Sequence, residues 1–244
     1  MALKATYYGA NGWLLDFDCT RILLDPWLKG DLVFQPGAWL IKGTRSKVKN
    51  MPTDIDGILL TQGLPDHAHI PTLKMMEKTI PVIASTNASK IANSLGFKTV
   101  ISIKPKESTI FKGLEIIATR GALVPFEENG YIIKGEKDSL YVEPHGFLDE
   151  SIKAEKIDTL ITPVIDISLP LFGDFIKGKK VTERLLQKFK PKRILASTTG
   201  GNIEFSGVLS NLFIQELSIE EAFISLESRV KCINPIVEQE YIFT

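Results

Sequence analysis

The spacing of short apolar runs is the feature of this sequence that most limits how the chain can fold. The first quarter contains three such runs, Ala5–Tyr8, Trp13–Phe17 and Arg21–Leu24, separated by turn-forming residues. This spacing predicts a β meander. Beyond it, strand-like and helix-like segments alternate. A β-rich start followed by alternating strands and helices predicts an α/β chain in which helices flank the sheets.

The rest of the chain divides into further predicted elements. The predicted strands are Gly57–Leu60, Pro81–Ala84, Thr99–Ile103, Leu114–Ala118, Tyr131–Ile133, Ser139–Val142, Thr159–Ile161 and Arg193–Ala196. Helices are predicted from Pro71, over Ala88–Leu95 with Asn87 as N-cap, and over Val181–Phe189, Asn211–Leu217 and Ile219–Ser225. Residues 29–50 read as a long loop. No linker-like run divides the chain, which predicts a single domain over residues 1–244.

Charge and cysteine content narrow the class of protein. Lysine plus arginine and aspartate plus glutamate both number 29, which argues against a general electrostatic hold on nucleic acid or anionic lipid. No apolar stretch approaches the roughly 18–20 residues that span a bilayer. The two cysteines, Cys19 and Cys232, lie far apart and predict neither a disulfide framework nor a cysteine zinc site. These features predict a cytoplasmic or organelle-matrix protein without membrane partners.

The three histidines of the chain fall in two loops. His67 and His69 lie in a segment that follows a predicted buried strand and precedes a helix, with Asp66 beside them. Open α/β sheets bind ligands beyond the carboxyl ends of their strands. Imidazole and carboxylate are the usual ligands of Zn²⁺, Fe and Mn²⁺. The segment therefore predicts a metal site.

The remaining histidine, His145, follows the predicted strand Ser139–Val142, and Glu143 lies two residues before it. If this strand neighbours Gly57–Leu60, all three imidazoles and one or two carboxylates meet at one point. The alternative is that each histidine is a hydrogen-bonded loop or core residue.

The segment Ile58–His67, I-L-L-T-Q-G-L-P-D-H, resembles the signature loop T-H-x-H-x-D-H of metallo-β-lactamase-fold hydrolases. The segments Tyr8–Leu15 and Ile22–Trp27 resemble the opening strands of the branch that includes ascorbate-phosphate lactonases. This resemblance covers most of the chain. It implies an αββα sandwich, in which two mixed β-sheets are flanked by helices.

The chain departs from that signature at several metal-binding positions. Gln62 and Leu64 stand where the family has its two leading histidines, and the segment Thr119–Ala122 lacks the expected third histidine. His145 stands at the bridging-aspartate position, and Ser197, Thr198 or Thr199 stands at the final histidine position. These substitutions imply a reduced site that holds one metal.

By this resemblance, Asp66, His67 and His145 are the implied ligands of one divalent transition metal, with Zn²⁺ first and Fe or Mn²⁺ as alternatives; a site without metal is the other reading. Asp66 is either ligand or general base. His69 or Glu143 is a candidate fourth ligand, and both are candidates for moving protons or orienting a ligand. Arg120 is a candidate contact for an anionic substrate group, and its simpler role is in an ion pair. Asp25 is a candidate for the rim of the site, and its simpler role is in a turn.

Two functions from different classes follow. The first is a metal-dependent hydrolase of a small ester, lactone or phosphoester. The second is a non-catalytic relative that binds a small molecule or acts as a scaffold, which the loss of ligands at Gln62 and Leu64 favours. A nuclease is disfavoured by the zero net charge.

Overall fold

The computed structural model describes residues 3–17, 20–45, 48, 50–123, 127–169, 173–198, 201–212, 214–215, 217–226 and 229–243. Cys19 and Thr199 therefore lie outside the described residues. The contacts of the chain group into two compact units. Unit 1 comprises residues 1–104, 201–211 and 236–244, and unit 2 comprises residues 105–200 and 212–235.

The strands and helices are as follows, in chain order. The first strands are β1 (Lys4–Gly9), β2 (Gly12–Phe17), β3 (Thr20–Leu24), β4 (Leu32–Val33), β5 (Lys42–Arg45), β6 (Gly57–Leu60), β7 (Val82–Ala84), β8 (Val100–Ser102), β9 (Ser108–Phe111) and β10 (Leu114–Leu123). The later strands are β11 (Glu127–Lys134), β12 (Ser139–Val142), β13 (Thr159–Thr162), β14 (Asp166–Leu169), β15 (Gly173–Lys177), β16 (Arg193–Ala196), β17 (Ile203–Ser206), β18 (Ile214–Gln215), β19 (Lys231–Ile233) and β20 (Glu240–Ile242). The helices are α1 (Ile70–Met75), α2 (Thr86–Ser94), α3 (Gly178–Phe189) and α4 (Ile219–Ile224), with a 3₁₀ turn at Ser210–Leu212.

Unit 1 is built on a mixed seven-stranded sheet with the order β20-β1-β2-β3-β6-β7-β8. Its β20 to β3 part is antiparallel, whereas β3, β6, β7 and β8 run parallel. Helices α1 and α2 bury Leu73, Ala88 and Ala92 against the apolar residues of β6 and β7. The short strands β17, β5 and β4 form a separate small sheet within the same unit.

Unit 2 repeats this pattern in its own seven-stranded sheet, with the order β19-β16-β13-β12-β11-β10-β9. An antiparallel part, β9 to β12, leads into the parallel strands β12, β13, β16 and β19. Helix α3 places Leu185 and Phe189 on this sheet, in a core that includes Tyr141 and Ile194. A second small sheet, β15-β14-β18, belongs to this unit.

The structure confirms the predicted combination of mixed sheets and flanking helices, and it corrects some elements. The predicted helix over Asn211–Leu217 is wrong, because its described part forms the 3₁₀ turn and strand β18, which pairs with β14. The N-cap of α2 is Ser85 rather than Asn87. The long loop over residues 29–50 contains β4 and β5. The prediction of a single domain over residues 1–244 remains a prediction.

Asp158, the partly buried residue that precedes β13, offers a test of stability. Asp158 accepts hydrogen bonds from the backbone N–H (3.1 Å) and hydroxyl (2.9 Å) of Ser139 and pairs with Lys192 Nζ at 2.8 Å. Burial alone would raise the pKa of Asp158, but the contacts with Lys192 and Ser139 outweigh it and lower the pKa below 3.8. A lowered carboxyl pKa stabilises the fold above the unfolded-state value of about 3.9, and this stabilisation is lost as the pH falls through the folded-state pKa.

We therefore expect Asp158→Asn to lower the free energy of unfolding by about 1 kcal/mol at pH 7. The difference from the wild type should shrink below about pH 4, where the wild-type carboxylate takes up its proton. Urea unfolding at the two pH values measures both effects. Asp54→Asn is the control, because the Asp54 side chain is 85% exposed and lies 3.8 Å from Arg21. Equal destabilisation by Asp158→Asn at both pH values would contradict this account.

Candidate functional site

One edge of the unit 1 sheet brings together Asp25 and the loop that carries Asp66 and His67. Strands β3 and β6 run parallel, so Asp25 after β3 and residues 61–67 after β6 leave the sheet at the same edge. Strand β2 runs antiparallel to β3. The two-residue loop Ala10–Asn11, which joins β1 to β2, therefore lies at that edge as well.

Asp25 is the hydrogen-bonding centre of this edge. Its side chain is 1% exposed, and its backbone has φ 40°, a left-handed conformation that aspartate tolerates better than most residues. One carboxylate oxygen accepts the Thr61 N–H at 2.8 Å. The other accepts from the Thr61 hydroxyl and from His67 Nδ1, which lies 2.7 Å away. Asp25 thus fixes both the start of the loop and the imidazole that the loop carries.

His67 lies between two carboxylates and is fully buried. Its Nδ1 faces Asp25, and its Nε2 lies 3.1 Å from Asp66 Oδ2. Burial alone would lower the pKa of His67. The charges of Asp66 and Asp25 outweigh burial and raise the pKa well above 6.5. The two carboxylates therefore hold the imidazole from both sides.

The His67–Asp66 pair fits two positions around a metal ion. A carboxylate on one ring nitrogen is the usual way in which proteins orient a histidine so that its other nitrogen can bind metal. Ligands bonded to Zn²⁺ at about 2.0–2.2 Å in a tetrahedral arrangement stand roughly 3.3 Å apart. The 3.1 Å between His67 Nε2 and Asp66 Oδ2 is close to that spacing. The chemistry and geometry of the pair therefore suit a divalent metal.

His69 is engaged elsewhere in unit 1. Its Nδ1 lies 2.9 Å from the Thr72 hydroxyl, and its Nε2 lies 3.1 Å from the Asp31 carbonyl. The ring packs on Trp27, with centroids 5.9 Å apart. Burial lowers the pKa of His69, which favours the neutral ring. These contacts place His69 at the N-cap of α1, with both ring nitrogens already hydrogen-bonded.

Glu143 and His145 belong to unit 2, where they follow β12. Glu143 is fully buried and accepts the backbone N–H groups of His145 at 3.2 Å and Phe147 at 2.5 Å. It has the position in the second sheet that Asp25 has in the first. Each acid directly follows a strand and precedes a proline. The backbone N–H of Glu143 donates to a carbonyl of the neighbouring parallel strand at 3.1 Å, and that of Asp25 does the same at 3.0 Å. Glu143 thus shapes the loop that carries His145.

Burial and then the Glu143 charge raise the pKa of Tyr141, two residues earlier. Tyr141 packs against Phe189 of α3, with ring centroids 5.2 Å apart. Side chains two residues apart on a strand point to the same face. The Glu143 carboxylate is therefore directed to the helix-bearing face of the unit 2 sheet.

The other predicted positions offer further polar groups. Gln62 and Ser197 are buried, and the Thr198 hydroxyl donates to the Pro144 carbonyl at 2.7 Å. Arg120 is exposed on β10, and its backbone N–H donates to Asp149. Within the described part of the chain, no group of three or more histidine, cysteine, aspartate or glutamate side chains is arranged to hold a metal ion.

Two residues of the site were not predicted from the sequence. Thr61 clamps Asp25, and Asn11 lies with its Nδ2 atom 3.3 Å from Asp66 Oδ2 and 3.2 Å from His67 Nε2. Asn11 is 3% exposed, which is unusual for an asparagine in a hairpin loop. In the sequence, the glycines that flank this loop indicate only a turn.

Both sheets with their helices have close counterparts among known structures. An isothiocyanate hydrolase from Delia radicum gut bacteria aligns with a TM-score of 0.70 and 16% identity over 99% of each chain. The metallo-β-lactamase fold protein YhfI from Bacillus subtilis aligns with a TM-score of 0.66 and 15% identity over all of both chains. These alignments confirm the predicted metallo-β-lactamase fold.

The sequence itself assigns the family. The chain belongs to the β-lactamase superfamily domain family, whose model matches residues 4–197. A protein of Paracoccus denitrificans (strain Pd 1222), described as a metal-dependent hydrolase, is 28% identical over 156 residues. That match covers 57% of this chain and 62% of the relative. No helix among the described residues is long and apolar enough to cross a membrane.

Proposed function

We propose that this protein is a metal-dependent hydrolase with a single metal site. The observation that carries the proposal is the row Asp25–His67–Asp66. In it the buried Asp25 carboxylate orients the buried imidazole, and the partly exposed Asp66 carboxylate stands beside its Nε2. The description of the Paracoccus denitrificans relative as a metal-dependent hydrolase supports it. The family suggests a divalent metal. Zn²⁺ remains the first candidate, with Fe and Mn²⁺ as alternatives.

The residues of the chain would have distinct roles in that reaction. A divalent metal, when bound, supplies Lewis acidity and makes a water molecule nucleophilic at neutral pH. Asp66 and His67 would hold it, with His145 as a predicted further ligand. Asp66 is also the candidate general base, because its carboxylate is the more exposed member of the His67–Asp66 pair. Asp25 and Thr61 keep His67 in the tautomer that directs Nε2 toward the site.

The predicted catalytic roles of His69 and Glu143 remain predictions. The hydrogen bonds of His69 with Thr72 and Asp31, and those of Glu143 with the loop after β12, favour positioning roles for both residues. The proposed substrate is a small ester, lactone or phosphoester. The cytoplasmic or organelle-matrix location also stays a prediction.

Metal content and metal-dependent hydrolysis test the proposal together. The protein is purified without chelator, analysed for Zn, Fe and Mn, stripped, and assayed on generic ester, lactone and phosphodiester substrates with each metal added back. We expect about one equivalent of metal, as a single site requires, and hydrolysis that returns with it.

The alternative function, a non-catalytic binding module, rests on Gln62 and Leu64, which replace two family ligands. It predicts metal near zero and a melting temperature that added metal does not change, because an ion that does not bind the native state cannot stabilise it. That result would overturn the hydrolase proposal.

A further inference from the structure

We propose that the side-chain amide of Asn11 is a third metal ligand and replaces a missing family histidine with a neutral oxygen. This inference rests on the proposed function, because it concerns the same metal. Asn11 lies outside the predicted ligand set, and its oxygen would change the class of metal that the site prefers.

Three atoms at this edge form a nearly equilateral triangle. His67 Nε2 and Asp66 Oδ2 are 3.1 Å apart. Asn11 Nδ2 lies 3.2 Å from the first and 3.3 Å from the second. Donor atoms around one ion with bonds of about 2.0–2.2 Å stand roughly 3.0–3.4 Å apart in octahedral or tetrahedral sites. The triangle therefore has the size of one face of a coordination polyhedron.

The Asn11 amide can present oxygen at this corner without moving its backbone. The two ends of an asparagine amide have nearly the same shape, so rotation of the amide by 180° exchanges Nδ2 for Oδ1. In the metal-free protein the nitrogen end suits the corner, because it donates to the Asp66 carboxylate. A cation at the centre of the triangle repels N–H groups and attracts carbonyl oxygen, which favours the exchanged orientation.

The hairpin holds Asn11 in place. The loop is only two residues long, with Gly9 paired to Gly12 and a positive φ of 47° at Ala10. The Tyr7 hydroxyl donates to the Ala10 carbonyl at 3.1 Å. A Cβ on Gly12 would lie 3.2 Å from the Gly9 carbonyl oxygen and 3.5 Å from that of Asp25, so the loop is packed against the Asp25 turn. Asn11 is therefore fixed by the fold, as a ligand must be.

Asp66, His67 and Asn11 would supply one carboxylate, one imidazole and one amide, and the predicted ligand His145 would add a second imidazole. This set has more oxygen donors than the histidine-rich signature of the family. Carboxylate and carbonyl oxygens suit Mn²⁺, whereas sets rich in histidine suit Zn²⁺. We infer that Asn11 shifts the preference of the site toward Mn²⁺ relative to the histidine-rich signature of the family.

Direct titration of the chelator-stripped protein with Mn²⁺ tests this inference. Asn11→Ala should weaken Mn²⁺ binding about tenfold or more, the usual scale for losing a group at a metal site. Asn11→Asp should bind at least as tightly as the wild type, because it supplies an anionic oxygen in the same place. Asn93→Ala, at an exposed asparagine of α2, is the matched control and should bind as the wild type does.

The aspartate variant separates a ligand from a residue that merely donates to Asp66. A carboxylate cannot donate an N–H, so a purely hydrogen-bonding role predicts that Asn11→Asp binds Mn²⁺ as weakly as Asn11→Ala. That result, or wild-type binding by Asn11→Ala, would overturn the inference and leave the proposed function intact. A wild-type protein that takes up no metal would overturn the proposed function itself. Unfolding of each stripped variant in urea shows whether the fold is retained.

Discussion

Asp25→Asn is expected to reduce metal affinity about 10- to 100-fold, the range found when a group that orients a metal ligand is lost. Asp25 accepts hydrogen bonds at both oxygens, from Thr61 and from His67 Nδ1. An amide has one accepting end, so its NH₂ group must face one of these donors. The simplest relief moves the imidazole proton from Nδ1 to Nε2, and a protonated Nε2 cannot bind metal.

The same substitution is expected to destabilise the fold by about 3 kcal/mol, because it leaves a buried group of the Asp25–His67 pair without its counter-charge. Asparagine tolerates a positive φ as aspartate does, so the backbone at φ 40° is not the cause. Mn²⁺ or Zn²⁺ titration and urea unfolding measure the two effects.

The control for Asp25→Asn is Asp56→Asn, which removes a carboxylate that accepts the Arg21 N–H at 2.8 Å elsewhere in unit 1. It should retain wild-type metal affinity. If Asp25→Asn bound metal as tightly as the wild type, Asp25 would have no orienting role.

The sequence predicted the parts of the fold that depend on local pattern. Strands β6, β12 and β16 begin and end at the predicted residues, because each contains a short apolar run with clear limits. Strands β5 and β18 were missed, since each exists through pairing with a distant strand, β17 and β14 respectively. No property of their own few residues specifies that pairing.

The candidate site likewise contains residues that a local pattern predicts and residues that only the pairing of strands brings together. Asp66 and His67 come from one loop with a recognisable pattern, and the structure brings them together. Asn11 reaches them only because β2 and β3 place the hairpin beside the loop after β6. That neighbourhood is a property of the sheet order. His69 follows His67 by two residues, yet the start of α1 directs its ring to Thr72 and Asp31.

Gly146→Ala is the substitution for which we expect the largest loss of stability, about 3 kcal/mol or more. Gly146 has φ +69°, and a Cβ there would lie 2.5 Å from the Lys177 carbonyl carbon and 3.0 Å from Gly178 N. Both contacts are with backbone, which cannot turn aside as a side chain can. The strand end is held there by the hydrogen bond from Lys177 N–H to the His145 carbonyl at 3.1 Å. The steric overlap of the new Cβ and the strain of the left-handed backbone therefore both lower the free energy of unfolding.

Gly113→Ala isolates the strain from the overlap. Gly113 has φ +85°, and a Cβ there meets nothing within 4 Å, so this variant should lose only about 1 kcal/mol. The difference of about 2 kcal/mol or more between the variants, measured by urea unfolding, is the contribution of the close contact. Equal losses would mean that the loop after β12 is not held against Lys177. His145 would then lack the fixed backbone that its predicted role as a metal ligand requires.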